Sequence, residues 1–246
     1  GQWNNDILTD IDEKFLSNFM WIMFKVRSGQ LSGSLRGASN IFFKNIFKHI
    51  NESPLYDKNF NNFIKNAKSK VDEIHNNLLS PDNLIYKLNN LINNKFLVLN
   101  PKLNGHDIIV ECILLNDDKV KLSIYNSGDG LQYHHIKIII APSNYKIKYQ
   151  TRKDFIFDKT TFIKEIVPLI NNNTTVNHFY TTLLSHNNKK LSIDLLNKVI
   201  WQKSQVNGSC SIESYMAYFK NLGGEIVYNQ FQLQMLDILK NKYSID

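Results

Sequence analysis

Two cysteines in 246 residues, Cys112 and Cys210, are too few for a disulfide framework, so this fold is not built on bridges. Arginine is nearly as scarce: only Arg27, Arg36 and Arg152 occur, and the net charge of +7 comes from lysines scattered among asparagine and isoleucine. Charge that is not massed permits contact with nucleic acid but does not indicate it. Long apolar runs are missing as well. The nearest, Phe19 to Val26, is interrupted by Lys25 and falls far short of the roughly 18 residues a spanning helix needs, so no membrane span is expected. Neither Cys-x-x-Cys nor His-x-x-x-His spacing appears, which leaves no zinc site and no reason to expect a cofactor. What is present is 43% hydrophobic residues, enough for one substantial core, and this excludes disorder as a general description. The excess of Asn, Lys and Ile is what AT-rich codons produce, and points to a microbial genome.

The chain changes character twice. Up to residue 95 apolar residues recur at helical spacing, as in Ile7, Ile11, Phe15, Phe19 and Ile22, then Ile41, Phe42, Ile46 and Ile50, and later Leu84, Leu88 and Leu91. Ser28 to Gly37 is rich in Gly and Ser and reads as a linker, and Ser80-Pro81-Asp82 as a helix start. From residue 96 the runs around Val98, His106 to Leu115, Val120 to Tyr125 and Ile136 to Ile140 are β-branched and partly alternating, which predicts a sheet. Asn116 to Lys119 is a hairpin signal, so the runs on either side of it are expected to pair as antiparallel strands. Helical patterns return from Thr160, over Leu191 to Trp201 and over Ile212 to Leu222; Gly223-Gly224 ends that segment and Gln230 to Tyr243 forms a last helix. Helices, then sheet, then helices predict an α+β fold. The division expected is a helical region over 1–95, which packs on the rest or selects the substrate, and an α+β domain over 96–246.

Chemistry concentrates around Cys210. The stretch Gly208-Ser209-Cys210 places a thiol at a turn immediately before a helix whose Ile212, Tyr215, Met216 and Phe219 form an apolar stripe. Free backbone N–H groups and the helix dipole favour the thiolate at such a position. Gln205, five residues earlier, is placed to offer an amide N–H to the oxygen that turns negative during acyl transfer. A thiol nucleophile also needs a base and a group that orients the base. His106 is the candidate base, since it opens a strand with the parity of Ile108 and Val110. A two-residue turn in the following hairpin sets Asp129 opposite His106, and a bulged register sets Asn126 there; either accepts from an imidazole N–H. His134 and His135 are rival bases. His134, with Trp201 and Gly208, is assigned to substrate binding. Cys112 lies inside a strand and is expected in the core.

A strand-borne His, an Asn or Asp about twenty residues on, and a Gln shortly before a Cys that opens a helix: this order, covering Gly105 to Phe219, resembles the clan CE cysteine peptidases. That group includes ubiquitin-like-protein proteases, adenovirus-type proteases and secreted bacterial deubiquitinases and acetyltransferases. The resemblance implies His106 as base, Asn126 or Asp129 as orienter, Gln205 as oxyanion donor and Cys210 as nucleophile. It also implies a protein substrate, ubiquitin or a ubiquitin-like protein, and a bacterial effector secreted into the host cytoplasm. The sequence departs from the family pattern at Asp107, where an aromatic residue is usual, and in reading Gly-Ser-Cys-Ser in place of Asp-Cys-Gly. An acyltransferase using the same Cys and His, or a non-catalytic interaction domain, are the other classes compatible with these residues.

Overall fold

The computed structural model of the chain describes residue 19 and residues 36–50, 57–93, 95–101, 103–115, 118–188, 200–204 and 210–243. Its order is helices α1 (Arg36–His49), α2 (Lys58–Leu79) and α3 (Pro81–Asn89), strands β1 (Phe96–Leu99), β2 (Ile109–Leu114) and β3 (Lys119–Tyr125), a 3-10 turn at Leu131–Tyr133, and strands β4 (Ile136–Ala141), β5 (Asn144–Gln150) and β6 (Arg152–Asp158). Then come α4 (Lys159–Thr161), a π-helical turn at Phe162–Ile166, α5 (Val167–Asn171), α6 (Val176–His186), the short strand β7 (Trp201–Gln202) and α7 (Cys210–Tyr243). This is the α+β fold that the sequence predicts.

The main sheet runs β1-β2-β3-β6 and is antiparallel throughout. All six residues of β2 are buried, because helices cover both faces. On one face Val98, Ile109 and Tyr125 meet α1, α2 and α7; on the other Ile108, Val110, Cys112, Leu122 and Ile124 meet the segment from Phe162 to Leu183. The alternation of apolar residues along β2 and β3 thus feeds two cores at once. Cys112 is in the second core, where burial raises its thiol pKa.

Local signals explain several element ends. Asp57 caps α2 by accepting from the Phe60 N–H at 2.9 Å, and Phe60, Phe63, Ile64, Ala67, Val71 and Ile74 then form one buried stripe. Pro81 sits in the first turn of α3, as expected from its fixed φ. Helices α1 and α2 share a core with α7 across the expected domain boundary: Phe43 stacks on Tyr215, and Phe47 on Phe231.

Some expectations are corrected. Trp201 is in β7, not in a helix; the rest of the Leu191 to Trp201 segment lies outside the described residues, except Ile200, which precedes that strand. Gly224, at φ 81° and ψ 171°, breaks α7 into two pieces, a backbone conformation essentially reserved for glycine. The second piece resumes directly after it, not at Gln230. The loop expected over Ser28 to Gly37 lies outside the described residues except for Arg36 and Gly37, which open α1. Among the described residues no helix is long and apolar enough to cross a membrane.

Candidate functional site

The hairpin register decides what faces His106. The pairs Ile109↔Tyr125 and Leu114↔Val120, with Leu115 N–H donating to Lys119 O at 2.7 Å, leave three residues in the connection instead of two. Asp118 takes the left-handed φ of 59° that such a connection needs, which Asp tolerates better than most residues. One residue of slip sets Gly128, not Asp129, in line with His106, and the turn at Leu103 to His106, outside β2, brings the imidazole to Asn126. His106 itself is held by a turn in which Leu103 bridges back to it, while Leu103 and Asn104 also join Thr174 ahead of α6.

His106 Nε2 lies 2.8 Å from Asn126 Oδ1, and the Gly128 N–H donates to the same oxygen at 3.0 Å. The Asn126 amide nitrogen donates to Asp129 O at 2.7 Å and to the Tyr180 hydroxyl at 2.9 Å. Both donors thus face acceptors and the oxygen faces donors, so the amide has one orientation and His106 carries its proton on Nε2. Its Nδ1 makes no hydrogen bond to a described residue, and this is the nitrogen left to accept a proton.

The network continues beyond Asn126. Tyr180 OH is 2.8 Å from His134 Nε2, and His134 Nδ1 is 2.7 Å from Gln150 O. A backbone carbonyl can only accept, so His134 is protonated on Nδ1 and takes the Tyr180 hydroxyl proton on Nε2. Burial lowers the His134 pKa to about 4, which keeps it neutral in this role, and burial raises that of Tyr180. His106, Asn126, Tyr180 and His134 are all buried.

His134 is thereby corrected from a substrate contact on the rim to an interior support, since both ring nitrogens are engaged inside the protein. Asp129 meets the group through its backbone carbonyl. Trp201 is half-buried in β7 with the Lys137 ammonium 5.8 Å from its ring centroid. Gln205 and Gly208 lie outside the described residues. Cys210 opens α7 and is buried, but the apolar residues of α7 from Ile212 onward pack on the sheet face opposite the one that holds Asn126 and Tyr180. Helix α7 touches the His106 end of the sheet through Asn221, whose amide donates to Thr151 Oγ1 at 2.7 Å; the Thr151 carbonyl in turn accepts from Asn126 N. From Cys210 to Asn221 is three turns, about 16 Å of helix rise.

The sequence pattern missed Tyr180 and Gln150. Tyr180 sits at helical spacing with Val176, Phe179 and Leu183 and reads as core, and Gln150 acts through its carbonyl, which no side-chain motif marks. Nor does the sequence mark Gly130. Its φ is 99°, and a Cβ there would come within 2.4 Å of the Tyr180 ring, so only glycine lets the 3-10 turn close against Tyr180. Tyr133 of that turn stacks on Tyr180 at 5.0 Å.

Comparison with family models, curated proteins and solved structures finds no match for the chain.

Proposed function

We propose that the chain is a thiol hydrolase of the cysteine-peptidase type. The observation that carries this reading is the 2.8 Å contact between His106 Nε2 and Asn126 Oδ1, which holds the imidazole by Nε2 and leaves Nδ1 as a base. The proposed reaction requires the Cys210 sulfur beside His106 Nδ1; there Nδ1 takes the thiol proton, and the sulfur attacks a peptide or isopeptide carbonyl carbon. Gln205 and a backbone N–H hold the oxyanion; the imidazolium returns its proton to the leaving amine, and water attacking the thioester frees the acid and the thiol. The substrate class proposed from the family resemblance is ubiquitin or a ubiquitin-like protein, and the setting a secreted bacterial effector.

A second reading, a non-catalytic interaction domain, is favoured by one observation: α7 packs on the sheet face opposite the His106 network. The two are separated by treating the wild-type chain, Cys210→Ala and His106→Ala with electrophilic ubiquitin and ubiquitin-like probes and reading intact mass. The hydrolase reading expects an adduct that requires Cys210 and forms roughly 100-fold more slowly in His106→Ala. Absence of any adduct, together with slow labelling of Cys210 by small thiol reagents at neutral pH, would favour the interaction domain.

A further inference from the structure

The candidate base is oriented by Asn126, and Asn126 is in turn oriented by groups that the peptidase reading does not use. An asparagine amide has nearly the same shape in both flips, so its orientation is decided by what it meets. Here Oδ1 meets the Gly128 N–H and His106, and Nδ2 meets Asp129 O and the Tyr180 hydroxyl. A phenol oxygen can donate or accept, and would not by itself choose between the two flips. Its choice is made one step further on. The Gln150 carbonyl accepts from His134 Nδ1, which leaves His134 Nε2 as an acceptor that takes the hydroxyl proton. The Tyr180 oxygen is then obliged to accept from Asn126. The Gly128 N–H and the Asp129 carbonyl choose the flip of the amide, and the Gln150 carbonyl, acting through His134, sets the Tyr180 hydroxyl to agree with it. Tyr180 is held in place for this by Gly130 beneath it and by the Tyr133 ring stacked on it.

We propose that Tyr180, directed by His134, is a positioning residue that reinforces the orientation which the Gly128 N–H and the Asp129 carbonyl give the Asn126 amide, and so favours the form of His106 protonated on Nε2, with Nδ1 as the proton acceptor. The assignment of the protonated nitrogen stands on the hydrogen bonds alone; its meaning for catalysis rests on the peptidase reading. The structure assigns no contact with substrate to Tyr180 or His134.

Nitrogen-15 NMR of the histidine side chains reads which ring nitrogen carries the proton. The wild-type chain above pH 7 is expected to show His106 protonated on Nε2 and His134 on Nδ1; His106 protonated on Nδ1 would overturn the proposal without any variant. In Tyr180→Phe the amide keeps its bonds to Gly128 and Asp129 but loses an acceptor, so a minor share of the other His106 form is expected to appear, with the rate of probe capture by Cys210 falling about threefold. His134→Leu, which removes the acceptor but leaves Tyr180, is expected to do the same, and His134→Gln, which keeps an acceptor there, to restore the wild-type pattern. A His106 signal and capture rate unchanged in folded Tyr180→Phe would overturn the role; if that variant does not fold, an unchanged signal in His134→Leu would do so. If the wild-type chain captures no probe yet shows the expected protonation, the peptidase reading fails and the positioning of His106 stands.

Discussion

The sheet carries a buried polar cluster on each face, and the two are built on opposite plans. On the face covered by α2 and α7, Glu111 accepts from the hydroxyls of Tyr125, at 3.4 Å, and Tyr218. On the other face His106, Asn126, Tyr180 and His134 form a chain of neutral donors and acceptors. In the first cluster two donors converge on one carboxylate, and burial raises both tyrosine pKa values well above the usual. Nothing is transmitted, because removing either tyrosine leaves the other bond in the same direction. In the second cluster each bond fixes the direction of the next. A convergent cluster stores stability locally, whereas a serial one carries orientation from a backbone carbonyl to a ring nitrogen several residues away.

This contrast is open to direct challenge. Glu111→Ala strands two buried hydroxyls and is expected to cost roughly 3 to 5 kcal/mol in urea unfolding, with no change in which His106 nitrogen is protonated. Gly130→Ala forces a left-handed backbone on alanine and drives its Cβ into Tyr180. A loss of about 3 kcal/mol is expected, and here the His106 NMR signal moves as well. Acidification tests the serial cluster through His134. Folding keeps the proton off His134 down to about pH 4, whereas the unfolded imidazole binds it near 6.5. The stability due to the neutral form is therefore whole above about pH 6.5 and is lost as the pH falls toward 4, by an amount on the order of 3 kcal/mol. His134→Gln, compared with wild type at pH 7 and pH 4.5, is expected to lose less on acidification; an equal loss would mean that folding does not keep the proton off His134. The smallest effect expected is that of Tyr218→Phe, about 1 kcal/mol, because Glu111 keeps its bond to Tyr125.

The order of elements was legible in the sequence because helical and alternating periodicities are local. The start of α3 at Pro81 and the pairing of β2 with β3 follow from residues a few positions apart. The choice between Asn126 and Asp129 is not legible, since a three-residue connection after Leu115 rules out Asp129 opposite His106 without selecting Asn126, and the contact is made from the turn between Leu103 and His106 that no local pattern marks. Tyr180 and His134 escaped a functional assignment for a different reason. They lie 54 and 8 residues from Asn126, and only the packing of α6 against the sheet makes them neighbours. Trp201 lies in a strand against its local helical pattern because Trp201 and Gln202 pair with Gln150 and Tyr149, a long-range contact that overrides that pattern.

The β4–β5 hairpin has a bearing on how the protein behaves in bulk. One face of it shows Ile136, Ile138, Ile140, Tyr145 and Ile147 to solvent, with Ile140 87% exposed, and the opposite face carries Lys137, Lys146 and Lys148. An open strand edge flanked by isoleucine is the kind of surface along which chains stack edge to edge, and lysine is the residue that commonly discourages it. The restraint is electrostatic and has a range of about 10 Å at 0.1 M salt, shrinking to about 3 Å at 1 M. Colloidal stability of this protein is thereby tied to ionic strength: dilute buffer keeps the hairpins apart by mutual repulsion, and concentrated salt removes that repulsion while strengthening the attraction between the isoleucine faces.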